Sequence, residues 1–406
     1  MVTVRKVKYY LYLKDVITLS VTAFGGPQAF LAMVLDIMIK KRRYITEEEL
    51  WELHALCQVL PGPTSTQTIS AIGYRVGGPN LAYLSLLVWI LPATTIMTGA
   101  AVLVDFLQTQ TEGSLDFAKF IQPMAIGFII YAAQKTIGKM VKTTEAMVLM
   151  LLSAFVAFFY NSPYIFPFML VAGGITTSLK FNKQPKIEEK SGIKIQWANF
   201  LLWGGVLILA ATLGHFTKIL PIRLFENFYR NGSLIFGGGQ VLVPYLYTEF
   251  VEFKAYLTSE EFLTGYAISQ GVPGPTFSIS SYIGALSMRS AGMGVGGAIV
   301  GGLVSAAGIF LPGTFLIFFV IRFWDELKKY RPVRAALEGI NAVSCGMLIA
   351  AAYLLFEPMP ANFFNIAAIA ITYFLLQFTK IPSPIIIIGG ILVGLGYQLA
   401  VNNLIG

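Results

Sequence analysis

The chain predicts an all-α polytopic membrane protein made of two homologous repeats, inverted relative to one another. Three observations carry this. Of the 406 residues, 56% are hydrophobic and only 12% charged, against about 25% charged in a soluble domain; the mean hydropathy is +0.69. Apolar stretches of about 20 residues, long enough to span a bilayer, recur along nearly the whole chain. And one series of segments occurs twice. Phe24-Gly25-Gly26-Pro27-Gln28 returns as Phe236-Gly237-Gly238-Gly239-Gln240, and Gln58-Val59-Leu60-Pro61-Gly62-Pro63-Thr64 returns as Gln270-Gly271-Val272-Pro273-Gly274-Pro275-Thr276. The offset is 212 throughout, with 14 of 44 positions identical between Phe24 and Gln67.

The first repeat is placed at 1–180, a cytoplasmic linker with a connecting transmembrane helix at 181–220, and the second repeat at 221–406. In each repeat the first two apolar stretches are interrupted, one at the Gly-Gly-Pro or Gly-Gly-Gly element and one at Pro-Gly-Pro. Proline inside a helix removes a hydrogen bond and clashes with the preceding turn, and glycine weakens the helix further. Two broken helix pairs, read as re-entrant, are therefore expected per repeat, since irregular backbone at membrane depth is tolerated only where protein or water satisfies it. About four transmembrane helices follow each: 79–104, 117–141, 144–160 and 164–180, then 292–321, 335–355, 361–378 and 383–401, with 197–217 as the connector. Re-entrance places Arg5/Lys6/Lys8, Lys40 to Arg43, Arg75, the linker lysines and the basic run from Arg322 to Arg334 on one face. Asp105, Glu112, Glu249 and Glu252 fall on the other, in accord with the positive-inside rule. The N-terminus is then cytoplasmic, the C-terminus extracytoplasmic and the location the plasma membrane. His215, Lys218, Arg223, Arg230 and Arg289 do not fit this partition.

Every break is followed by a helix start rich in donors. Helix N-termini expose free N–H groups and carry about half a positive charge each, which makes them anion sites. Four such ends would match a dianion. Gly25, Gly26, Gly62, Gly237, Gly238 and Gly274 allow close backbone approach, while Gln28, Thr64, Ser65, Thr66, Gln67, Gln240, Thr276 and Ser278 add hydroxyl and amide donors. Gln58 and Gln270 are matched polar residues just before the Pro-Gly-Pro breaks. No Lys or Arg lies within these motifs, so the site would bind through neutral donors and dipoles. Arg75 and Arg289, at the ends of the second broken helices, are candidates for a vestibule; His54 and Glu338 are candidates for proton coupling. Glu48-Glu49 and Glu260-Glu261 are read as acids complementing a helix start. Cys57 and Cys345 lie in apolar segments and are read as packing residues, and the two histidines offer no metal spacing. Neither a metal site nor a cofactor is expected, nor a nucleic-acid partner. No nucleophile–base constellation suggests an enzyme, and there is no phosphate-binding Gly-x-x-x-x-Gly-Lys-Ser/Thr loop. Energy would thus come from ion gradients or the membrane potential.

At these residues the chain resembles the chromate ion transporter family in its long, two-domain form. Phe24-Gly25-Gly26-Pro27, the run from Ala55 to Gln67, Ile72-Gly73-Tyr74-Arg75 and Leu91-Pro92-Ala93 carry the resemblance, with Phe236 to Gln240 and Gln270 to Pro275 in the second half. It implies a membrane exporter of chromate, a tetrahedral dianion that mimics sulfate, with halves of opposite orientation. It also implies export drawing on the proton-motive force. The sequence leaves open a carrier of sulfate or another oxyanion, an anion channel using the same site, and a homodimer.

Overall fold

The computed structural model describes residues 2–24, 26–110, 118–160, 162, 164–179, 196–236, 239–324 and 331–405. Most of the linker, and Gly25, Gly237 and Gly238, lie outside the described residues. The described secondary structure is helical. The first repeat holds α1 (Val2–Thr22), α2 (Gly26–Val34), α3 (Glu47–Val59), α4 (Thr64–Gln110), α5 (Ala118–Met140), α6 (Thr144–Phe159) and α7 (Ile165–Ser178). After the connector α8 (Ala198–Thr217) come α9 (Leu220–Leu234), α10 (Gly239–Tyr247), α11 (Ser259–Gly271), α12 (Ile279–Ser290), α13 (Gly294–Val320), α14 (Arg331–Phe356), α15 (Phe363–Phe378) and α16 (Ser383–Ile405).

The duplication extends to the backbone. Both α2 and α10 run into a π-helical turn, Leu35–Lys41 and Thr248–Phe253. Two residues past each turn stands a residue of positive φ, Arg43 (54°) and Ala255 (51°), which are 212 positions apart. Helices α3 and α11 both begin in a capping box. Thr46 Oγ1 accepts from the Glu49 N–H while Glu49 accepts from the Thr46 N–H, and Thr258 and Glu261 do the same. Glycine permits the turns between them: Gly62 has φ 115° and Gly274 φ 103°. Helix α4 is bent at Gly78 (φ 78°) into arms 64–77 and 79–110, where the second repeat has two separate helices, α12 and α13, with a turn through Gly292 (φ 79°).

The repeats interlock instead of sitting side by side. The short pair α6 and α7 packs on α14 of the second repeat, and its counterpart, α15 and α16, packs on α5 of the first. The first repeat's α4 in turn lies against α12 and α13. Glycine makes these crossings close. A Cβ at Gly339 would overlap the Gly173 carbonyl, and one at Gly346 would overlap Ser153 and the Met150 carbonyl. Small residues at helix crossings let backbones approach where lipid offers no hydrophobic gain for association.

Among the described residues, four helices are long and apolar enough to cross a membrane: Thr64–Thr109, Ala198–Thr217, Gly294–Val320 and Ala335–Phe356. Large apolar side chains face outward on the periphery, among them Phe155, Leu201, Phe216, Phe363 and Phe378, as expected of a lipid-facing surface. Helices α6 and α7, read from sequence as full spans, have 16 and 14 residues. At 1.5 Å rise per residue they are about 24 and 21 Å long, short of the ~30 Å hydrocarbon core. This is a membrane-embedded helical protein.

The α6–α7 seat on α14 should tolerate no side chain at its closest crossing. Gly339→Val is expected to cost about 1–3 kcal/mol through overpacking, read as a lower unfolding temperature in detergent. Gly205→Ala, where an added Cβ meets nothing within 4 Å, should leave it unchanged.

Candidate functional site

The four helix breaks meet in pairs, and each pair joins one repeat to the other. The Gly62 N–H, in the Pro-Gly-Pro turn of the first repeat, donates to the Ile235 carbonyl at the end of α9 (2.8 Å). The Gly274 N–H, its equivalent in the second repeat, donates to the Ala23 carbonyl at the end of α1 (3.2 Å). Ala23 and Ile235 are themselves 212 apart, so the two bonds are reciprocal. Each turn also presses on the kinked helix of the opposite repeat. A Cβ at Gly62 would lie 3.3 Å from the Gly313 Cα, and one at Gly274 would lie 3.2 Å from the Ala93 Cβ. Both contacts fall beside the helix-interior prolines, Pro312 and Pro92.

The candidate donors divide into engaged and unengaged groups. Gln67 is buried and structural: its Nε2 donates to the Pro61 carbonyl (2.7 Å) and to the Gly313 carbonyl (3.3 Å), which ties the turn to α13. Its Oε1 has no hydrogen-bond partner among the described residues. Thr66 is buried and accepts from Trp89 Nε1 (3.1 Å). By contrast Thr64, Ser65 and Thr276, at the starts of the helices after the turns, are partly exposed and make no side-chain hydrogen bond among the described residues. Ser278 is buried. Gln270 is half-buried with Nε2 3.4 Å from Ser269 Oγ. For Gly26, Gln28 and Gln240 the structure describes only that they open α2 and α10.

The four outlying candidates take separate positions. His54 is buried and sits in a chain: Gln58 Nε2 lies 3.2 Å from His54 Nε2, and His54 Nδ1 lies 3.3 Å from Thr68 Oγ1. Thr68 spends its own proton on the Thr64 carbonyl (2.7 Å). Thr68 therefore accepts from Nδ1–H, and Nε2 of a neutral imidazole accepts from the Gln58 amide. Arg289 is ion-paired with Asp105 of the other repeat, its Nε donating to Oδ2 (2.7 Å). Glu338 accepts from Thr143 Oγ1 (2.6 Å), the N-cap of α6. Arg75 is exposed, with no partner among the described residues.

Sequence reasoning missed a buried charge cluster below the second repeat's first break. Glu249 is 1% exposed and accepts from Arg230 Nη2 (2.6 Å), with Lys254 Nζ 3.3 Å away. The signal available was Arg230, a cation that the charge partition could not place.

These features define a duplicated, membrane-embedded helical protein whose broken helices cross-brace one another. The chain belongs to the chromate transporter family, whose profile matches residues 12–178 and 222–395. It is similar to a probable chromate transport protein of Synechococcus elongatus, 25% identical over 379 residues covering 91% of each chain. It is also similar to a chromate transport protein of Cupriavidus metallidurans, 23% identical over 389 residues, 93% of this chain and 90% of that one. An uncharacterized transporter of Methanocaldococcus jannaschii is 23% identical over 339 residues, 82% of this chain and 80% of the other. No solved structure matches the chain.

Gly62→Ala and Gly274→Ala should each destabilise the protein, because both glycines combine a positive φ with a tight neighbour across the repeats. About 1–2 kcal/mol is expected from the backbone conformation alone. The measurement is thermal unfolding in detergent beside Gly99→Ala, where an added Cβ has open space; equal melting of all three would contradict the cross-bracing.

Proposed function

We propose that this chain is a secondary transporter that carries chromate out of the cell, with the anion bound at the helix starts beside the two cross-repeat turns. The observation that carries the reading is the reciprocal pairing of Gly62 with Ile235 and of Gly274 with Ala23, with the unengaged hydroxyls of Thr64, Ser65 and Thr276 alongside. Family membership supports chromate as the solute, and the Synechococcus and Cupriavidus relatives, described as chromate transport proteins, agree. A dianion suits helix N-termini because each contributes free N–H groups and a fraction of positive charge. The lack of Lys and Arg in these motifs suits release.

In this reading the anion takes over the Gly62 and Gly274 N–H groups from the carbonyls of the opposite repeat. Binding would then loosen the braces that hold the repeats together, which supplies the differential contact an alternating-access carrier requires. The halves, 1–180 and 221–406, are proposed to be inverted about an axis in the membrane plane, with the broken pairs re-entrant, the N-terminus cytoplasmic and the C-terminus outside. Outward movement of a dianion across a negative-inside plasma membrane releases about 2.3 kcal/mol per charge per 100 mV, so export is driven by the potential alone or together with a coupled ion.

The test is chromate flux from proteoliposomes holding the purified protein under an imposed potential. Saturable efflux, competed by sulfate and weakened severalfold by Thr64→Val or Thr276→Val, is the expected result. Chromate retained inside while sulfate or chloride passes would overturn the assignment of solute. Flux that rises linearly with concentration and shows no counter-transport would make the protein a channel.

A further inference from the structure

Among the described residues, the four-charge cluster of the second repeat is not repeated in the first. Arg230 on α9 donates through Nε to Glu226 (3.0 Å) and through Nη2 to Glu249 (2.6 Å), while Lys254 Nζ lies 2.5 Å from Asn227 Oδ1 and 3.3 Å from Glu249 Oε1. The Tyr245 hydroxyl accepts from Arg230 Nη1 (3.2 Å). The positions 212 residues earlier hold Lys14, Asp15, Thr18, Ile37 and Arg42, and only the Arg42–Asp15 pair joins the same elements there. Packing α9 on the following turn therefore does not require Glu249 and Arg230.

Four buried polar atoms in this region have no hydrogen-bond partner among the described residues: Glu249 Oε2, Asn227 Nδ2 and both Nδ2 and Oδ1 of Asn231. All three residues are at most 1% exposed. Unsatisfied buried groups of this kind are places for bound water. Asn227 and Asn231 are four apart on α9, one above the other, and four residues further on, about 6 Å along the axis, stands Ile235, whose carbonyl holds the Gly62 turn. Asn227, Asn231 and the Ile235 carbonyl thus lie along one face of α9 between Glu249 and the proposed anion site.

We propose that Glu249 binds a proton whose uptake is linked to anion binding at the break, the two communicating along the Asn227–Asn231 face. This rests on the reading of the breaks as the anion site. An O–H bond forms at Glu249 Oε2, which accepts nothing among the described residues, as an O–H bond of a hydronium breaks; no electrons move. Both cations have a second acceptor ready, Glu226 for Arg230 and Asn227 for Lys254. Among the described residues, Glu226, Arg230, Lys254 and Tyr245 are the titratable or charged groups that face Glu249, from α9, α10 and the turn after α10. Two carboxylates against two cations are neutral. Protonation leaves one positive charge, which is costly in a membrane protein's interior unless an anion lies near. Proton and anion therefore favour each other's binding.

Chromate binding is measured against pH in nanodiscs for the wild type, Glu249→Gln, Glu249→Asp and Glu226→Gln. Because the ligand's own titration is common to all four, the comparison between proteins isolates the residue. Glu249→Gln, which mimics the protonated state, should match the wild type at low pH and bind roughly tenfold tighter at high pH, a size set by a unit charge acting on a dianion over about 12 Å, the rise of α9 from Asn227 to Ile235, at an effective dielectric of about 40. Glu249→Asp and Glu226→Gln should keep the wild-type pH dependence. Adding chromate to weakly buffered wild type should draw protons from solution, a reading that stands even where Glu249→Gln does not fold. Parallel pH profiles for wild type and Glu249→Gln, or no proton uptake by the wild type, would overturn the proposal. Absence of chromate binding to any of the proteins would instead overturn the function on which it rests.

Discussion

A helix broken inside a membrane protein leaves amide and carbonyl groups that lipid cannot satisfy, at a cost of several kcal/mol each. The architecture follows from how that debt is met. Each Pro-Gly-Pro turn gives its glycine N–H to the last carbonyl before the other repeat's first break. Each repeat thus relies on the other for one backbone hydrogen bond at its break. The exchange of α6–α7 and α15–α16 between repeats extends the same dependence to the periphery. The connector α8 lets one chain supply both.

The frame is duplicated, but its chemistry is not. At the first repeat's turn, Gln67 and the Trp89–Thr66 bond stiffen the helix start. At the corresponding place the second repeat has Ile279 and the buried Phe277, against Phe310, and a short 3-10 segment, Thr276–Ser278, before α12. Charge shows the reverse. At the place matching the Glu249 cluster the first repeat carries an Arg42–Asp15–Tyr44 group, where the second has four charges around Glu249. One half is specialised for holding the turn rigid, the other for charge. Such a division is open to a fused duplication, because two halves on one chain are free to diverge.

What was legible in the sequence is what the backbone dictates. Pro-Gly-Pro, the Gly-Gly elements and Thr-x-x-Glu are constrained by φ, by missing N–H groups and by capping geometry, so they survive as repeated letters at an offset of 212 and mark the breaks and helix starts directly. Which break faces which was not legible, because the bonds from Gly62 to Ile235 and from Gly274 to Ala23 involve main-chain atoms that any residue supplies. Side-chain use was hidden for a related reason. Gln67 and Thr66 look like donors for a ligand on composition alone, yet the Gln67 amide nitrogen and the Thr66 hydroxyl are bonded within the protein, while among the described residues Thr64, Ser65 and Thr276 make no side-chain hydrogen bond. The charge partition was informative through its failures: Arg230 and Arg289, two cations it could not place, prove to be held by Glu249 and Asp105. A cation paired with a carboxylate inside the protein is exempt from a rule that concerns loops facing water.

The proposed exchange of carbonyl for anion at the two glycine amides also sets a scale for the carrier. A neutral amide–carbonyl bond contributes about 1 kcal/mol net, and a bond to an anion roughly twice that. Two exchanged bonds therefore favour the bound state by about 2 kcal/mol before the anion's desolvation is counted. About 5.5 kcal/mol is needed to swing a two-state equilibrium from 1:99 to 99:1. The exchange alone can bias the packing of the repeats without locking it, and a carrier needs that limit, since a site that closed irreversibly on its anion would never release it. The helix dipoles and the hydroxyls of Thr64, Ser65 and Thr276 act on top of this bias. In this reading, lysine or arginine within the motifs would deepen the well and slow release, so their absence there would serve turnover as much as membrane burial.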